Sequence, residues 1–347
     1  MPVAPLRRRR SLGWMLAAAL SATFLLTACT SDTATAPTPT ATATPTIAQV
    51  DTSSVRTLIE SDRETPTVET TGTVPSIAGE TAIGVSYPSG GLNVTGVLRM
   101  PQAEQPVPIV IVVHGSVDPE RYETGRDLVP EQRALLDAGY AVLAVDMRGY
   151  AGSDAADAAS PSVDPGFGWA TVLDWGMALD VVGALEIARS GQLEGVEPDA
   201  VGLLGHSLGG LLALDAAVIA PGAADLVIAM SAPAADLDAA IELAVAADPD
   251  VAELLPDGVP SPTENPEYWA DISPASFFDR ATEPLLLIHG SADDVAPAQW
   301  AQDTADAWTQ AGGDAEVVIL EGGDHHLEPR RDEGDAIIVA AFDAVLR

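Results

Sequence analysis

Six short apolar runs punctuate the chain, at Ile109 to Val113, Ala141 to Val145, Val201 to Leu204, Leu226 to Met230, Leu285 to Ile288 and Val317 to Leu320. A strand with one wet face would alternate apolar and polar residues; these runs do not, so each reads as a strand buried on both sides. Segments of helical period separate them. Pro130 sits in the first turn of one helix, which ends at Gly139, and Leu173, Met177, Val181, Leu185 and Ala188 share one face of a longer one. Ile338, Ala341, Phe342 and Val345 repeat that spacing at the C-terminus. Strands alternating with helices pair in parallel through right-handed crossovers, and the helices then cover both faces. Upstream, Ile83, Val85 and Tyr87 alternate, and Gly90-Gly91 turns the chain into Leu92, Val94, Gly96 and Leu98, the pattern of an antiparallel hairpin at a sheet edge. Hairpin and runs together give an α/β fold with a mostly parallel, eight-stranded sheet.

The third run leads straight into Gly205-His206-Ser207-Leu208-Gly209, and an apolar helical stretch from Leu211 to Ile219 follows. Strand, Gly-x-Ser-x-Gly and helix in that order form the context of a nucleophile elbow, in which the serine occupies a strained turn at the top of the sheet. Side chains two residues either side of that serine would strike the neighbouring strand and helix, which explains the glycines. A serine hydroxyl becomes a nucleophile only beside a base that a third group orients, so an acid and then a histidine are expected later in the chain. The fifth run continues as His289-Gly290-Ser291-Ala292-Asp293, which puts Asp293 at the carboxyl end of a buried strand, where the ligands of such sheets gather. Asp294 is its chemical equal. Of five histidines only His325 and His326 follow the acid, in the loop after the last run. His114 and His289, at the ends of buried runs, read as hydrogen-bonded core histidines. The oxyanion formed on attack needs backbone N–H donors already in place. Leu208, after the serine, is one candidate, and Ser116 in His114-Gly115-Ser116 is the other, with Gly115 allowing close approach.

Several separated segments resemble the catalytic domain of the prolyl oligopeptidase family within the α/β-hydrolase superfamily, across roughly residues 80 to 347. They are Val112-Val113-His114-Gly115, Asp146 to Ser153, Asp174-Trp175-Gly176, the elbow, Ile288 to Asp293, and Gly323-Asp324-His325. The resemblance implies the α/β-hydrolase fold, with Ser207 as nucleophile, Asp293 as acid and His325 as base. It also implies cleavage of an acyl bond through an acyl-enzyme. No β-propeller is visible, and Gly-His-Ser-Leu-Gly-Gly is closer to the elbows of esterases and lipases. Carboxylic esters are therefore the expected substrates, short peptides are the alternative, and a non-catalytic binding protein on the same fold is the rival from another class. Residues 235–273, acidic and proline-rich, are the candidate for a small lid that selects substrate.

The first 28 residues carry a basic patch at Arg7 to Arg10, an apolar run from Trp14 to Leu26 too short to span a bilayer comfortably, and small residues before Cys29. Leu26-Thr27-Ala28-Cys29 resembles a bacterial lipoprotein cleavage box. That implies a signal peptide over 1–28, lipid on Cys29 and an exported, membrane-anchored protein. Residues 29–79, rich in Thr, Ala and Pro at their start, are expected to be a largely disordered tether ahead of a catalytic domain over 80–347. Cys29 is the only cysteine, so an internal disulfide is excluded. The formal charge of −35, with no lysine, repels nucleic acid and anionic headgroups and leaves the lipid as the expected contact with membrane. Neither a metal-ligand cluster nor a phosphate loop nor a dinucleotide fingerprint is present, so no cofactor or metal is expected.

Overall fold

The computed structural model of the protein describes residues 50–155, 175–247 and 259–347. Its centre is one nine-stranded sheet in the order β1-β2-β3-β5-β4-β6-β7-β8-β9. These are β1 (Glu69–Thr73), β2 (Thr81–Ser89), β3 (Leu92–Met100), β4 (Val107–Val113), β5 (Ala141–Asp146), β6 (Val196–His206), β7 (Leu226–Met230), β8 (Leu285–Gly290) and β9 (Ala315–Leu320). From β5 through β9 every pairing is parallel, while β1, β2 and β3 form an antiparallel edge. All six apolar runs are strands and the glycine pair is the β2–β3 hairpin turn. The sheet has nine strands rather than eight, because Glu69–Thr73 adds a strand to β2 with every residue exposed. A strand that buries neither face leaves no hydrophobic alternation to read.

The pleat sends successive side chains of β4 to opposite faces. Ile109, Ile111 and Val113 join one apolar cluster with α3 (Gly176–Arg189), α4 (Leu208–Ile219) and α7 (Gln299–Gln310). Val110 and Val112 join another with Leu135 and Leu136 of α2 (Val129–Asp137) and with Ile338 and Phe342 of α8 (Arg331–Leu346). Covering both faces of the parallel strands in this way brings the ends of β4, β6, β8 and β9 to one edge.

Part of the stretch expected to be a tether, residues 29–79, carries regular structure, at Val55–Glu60 and Glu69–Thr73. Helix α1 (Val55–Glu60) starts at Ser54, whose hydroxyl accepts from the Thr57 N–H in a capping box, and Val55 and Leu58 on it are fully buried against the body. Arg63 donates to the Ile219 carbonyl at 3.1 Å. Two buried side chains and a cap hold a six-residue helix that its own length would not stabilise. Cys29, the leader and residues 29–49 lie outside the described residues, as does part of the expected lid. Of the lid, α5 (Leu237–Ala247) and α6 (Pro266–Ile272) are described, followed by a 3-10 helix at Pro274–Arg280. No helix among the described residues is long and apolar enough to cross a membrane.

Candidate active site

Ser207 stands between β6 and α4 with φ 54° and ψ −121°, a backbone conformation that L-residues rarely adopt. Its N–H donates to the Met230 carbonyl at 2.8 Å, which anchors the turn to β7. The glycines are demanded by contact. A Cβ on Gly205 would lie 2.0 Å from the Gly209 carbonyl oxygen, and one on Gly209 would lie 2.3 Å from that of Val113. No real pair of atoms tolerates such separations, so strand, turn and helix close only with bare backbone at both places.

Three of the residues singled out from the sequence meet here. His325 Nε2 is 3.0 Å from Ser207 Oγ, and its Nδ1 is 2.8 Å from Asp293 Oδ2. Asp293 Oδ1 accepts N–H bonds from Val295 and Ala296, each 2.9 Å, and the carboxylate side chain is fully shielded from solvent. Burial alone would raise its pKa; the N–H donors from His289, His325, Ala296 and Val295 overturn that and hold it far below the usual carboxylate range. The neighbouring Asp294 is exposed, and His326 is exposed with its ring 4.9 Å from that of His206. Asp293 and His325 are thus the members of each pair that the fold brings to the serine.

The histidine loop meets the acid loop by the same exclusion of side chains that shapes the elbow. A Cβ on Gly290 would lie 2.2 Å from the Gly323 carbonyl oxygen. His206, buried beside the serine, has its Nε2 2.9 Å from the His325 carbonyl oxygen. An acceptor there requires the proton on Nε2, and burial lowers the pKa of this imidazole to about 4, so the ring stays neutral and donates. His289 Nε2 faces two acceptors, the Ala296 carbonyl at 2.9 Å and Asp293 Oδ2 at 3.0 Å. It is a hydrogen-bonded core histidine, and it also touches the acid, a contact across the turn that strand pattern does not announce.

Ser116 and Leu208 carry the N–H groups expected to face an oxyanion. Among the described residues neither N–H donates a hydrogen bond, whereas the Gly115 N–H is engaged by Asp127 Oδ2 at 3.3 Å. A Cβ on Gly115 would lie 3.2 Å from that of Ser207, which measures how closely the loop after β4 passes the serine. Leu208 is the first residue of a 12-residue helix, so the positive end of the helix dipole points to the same place. The arrangement can remove a proton from a hydroxyl, stabilise the imidazolium that results and receive negative charge on a nearby oxygen.

Residues 110–338, about two thirds of the chain, match the sequence pattern of the Alpha/beta hydrolase family. The protein belongs to that family. Among curated proteins this α/β hydrolase is 35% identical over 79 residues to a non-reducing polyketide synthase of Preussia isomera, a match that spans 22% of this chain and 3% of that one. In fold the hydrolase is similar to acetyl xylan esterase 1 of Thermoanaerobacterium sp. JW/SL YS485, with a TM-score of 0.61 and 18% identity over 83% of this chain and 92% of the esterase. It is similar as well to the acylaminoacyl peptidase of Pyrococcus horikoshii, with a TM-score of 0.57 and 19% identity over 81% of this chain and 41% of the peptidase.

Proposed function

We propose that this α/β hydrolase is a serine esterase that cleaves esters of short carboxylic acids through Ser207, His325 and Asp293. The observation that carries the reading is the continuous chain of contacts from Ser207 Oγ through both nitrogens of His325 to Asp293, 3.0 and 2.8 Å long. His325 takes the Ser207 proton as Oγ bonds to the acyl carbon, and the N–H groups of Ser116 and Leu208 hold the oxyanion. The imidazolium passes its proton to the departing alkoxide, leaving an acyl-serine. Water, deprotonated by the same imidazole, attacks that ester, and the proton returns to Oγ as the acid leaves.

Esters are favoured over peptides by the leaving group. An amine must be protonated to depart, each tenfold in rate requires about 1.4 kcal/mol more transition-state stabilisation, and no motif for gripping a peptide end supplies it. The esterase-like elbow and the likeness to an acetyl xylan esterase point the same way. The likeness to an acylaminoacyl peptidase makes the peptidase the rival that the experiment must address. The deciding experiment compares kcat/KM for a short-chain nitrophenyl ester and an aminoacyl anilide, with Ser207→Ala as background. Activated esters react easily, so the ester must win by well over a hundredfold; similar efficiencies, or a preference for the anilide, transfer the reading to a peptidase.

The place of action is part of the same proposal. Leu26 to Cys29 and the threonine- and proline-rich stretch after it support an exported protein held at the outer face of a bacterial membrane by lipid on Cys29. Mature protein is expected in the membrane fraction and Cys29→Ser protein outside it. Identical partition of the two would end that part of the reading.

A further inference from the structure

Asp293 lies between two imidazoles. His325 Nδ1 approaches Oδ2 at 2.8 Å from the loop after β9, and His289 Nε2 approaches the same oxygen at 3.0 Å from the end of β8. His289 is 1% exposed. Its Nε2 has only acceptors in reach, the carboxylate and the Ala296 carbonyl at 2.9 Å, so the proton resides on Nε2 and is shared between them. Counting the Val295 and Ala296 N–H groups on Oδ1, each oxygen of the carboxylate has two nitrogens within 3.0 Å. With Oδ1 held by two backbone N–H groups, Oδ2 would without His289 be held only by the imidazole it must orient. A second donor rooted in a strand of the sheet prevents this.

We infer that His289 is a positioning residue for the proposed hydrolysis, its Nε2–H fixing the Asp293 carboxylate so that Oδ2 stays aimed at His325 Nδ1. The inference rests on the reading of Ser207, His325 and Asp293 as the acting groups. It assigns to His289 a role that its burial at a strand end does not require, since packing would be served as well by an apolar side chain of similar size.

The test separates donation from packing. His289→Leu fills the space without a donor, His289→Gln places an amide N–H where Nε2 stands, and His289→Asn places one too short to reach. Loss of a hydrogen bond to a charged group is expected to lower kcat roughly tenfold to a hundredfold in the Leu and Asn variants. KM should stay within about twofold, because substrate is not touched. His289→Gln should return kcat to within a few-fold of the parent. The proton resonance of the His325 Nδ1–H, read by NMR without turnover, should move in the Leu and Asn variants and return in Gln. Parent-like kcat and resonance in the Leu and Asn variants would overturn the inference. So would equal impairment of all three, which makes His289 a packing residue only. Ser207→Ala is assayed alongside. If it stays active, the reading of the site falls and the inference with it; if it is inactive while the His289 variants match the parent, the inference alone falls.

Discussion

The elbow that carries Ser207 and the loop that carries His325 end at the same point, 3.0 Å apart, and are held there by different forces. The elbow is fixed by exclusion. Backbone of β4, the turn and α4 approach so closely that no Cβ fits at Gly205 or Gly209. The base loop makes one such close contact, at Gly290 against Gly323, and is otherwise fixed by polar bonds. His206 Nε2 donates to the His325 carbonyl, Asp324 Oδ1 accepts from the His326 and Glu328 N–H groups, and Arg331 Nε donates to the His326 carbonyl at 3.1 Å. Steric exclusion is close to all-or-none, whereas polar tethers contribute in small independent steps. The serine should therefore be unforgiving of change around it, and the base should tolerate losing one tether at a time.

The largest effect is expected at His325, the proposed base. His325→Ala should lower kcat by roughly 10⁴-fold or more with little change in melting temperature, as for other members of serine–histidine–acid sets. His326→Ala, removing an exposed ring, should keep most of the turnover. Steady-state rates of both variants check this, and the opposite pattern would move the base one residue along. Next comes the elbow. Gly209→Ala forces a Cβ to within 2.3 Å of a β4 carbonyl, and overpacking of this kind costs roughly 3 kcal/mol, or a fall of roughly 10 °C in Tm. An unchanged Tm in calorimetry would break the contrast between the two regions.

A smaller change should follow from a single tether. His206→Phe keeps a ring against His326 and removes the donor to the His325 carbonyl, so kcat should fall about tenfold while Tm drops by only a few degrees. A loss as large as that of His325→Ala would mean the loop depends on one bond rather than several. The smallest effect concerns the start of α8, where Arg331 reaches both the base loop and buried Glu131, 3.4 Å away. Burial, and then the Glu131 charge, raise the Asp335 pKa to about 7. The folded state then holds a proton that the unfolded state has released, so stability should decline as pH rises from about 4 to about 7 and level off above. Asp335→Asn should flatten that decline in Tm between pH 5 and 8, making the variant the more stable form at pH 8. Parallel curves for variant and parent would refute it.

Much of the fold was legible because burial on both faces leaves a mark in the chain. Each apolar run is a strand, and Gly-His-Ser-Leu-Gly marks the elbow because part of its steric demand, that of Gly205 against Gly209, acts within five residues, while that of Gly209 comes from β4. Ser207, Asp293 and the His325-His326 pair could be picked out in that order because each lies at or just beyond the end of a recognisable strand. Nothing local, however, distinguishes Asp293 from Asp294 or His325 from His326. That choice is made by contacts between residues 118 and 32 positions apart, which exist only once β6, β8 and β9 share a sheet. The second imidazole on Asp293 was hidden in the same way: at the end of β8 the pattern reports that His289 is buried, not which atoms it meets. Strand β1 and helix α1 escaped for the opposite reason. One buries no face, and the other buries only two side chains, so their stability comes from β2 and from the body they rest on rather than from any periodicity of their own. Sequence determined what each segment could bury; the tertiary structure decided which polar atoms that burial brings within reach of one another.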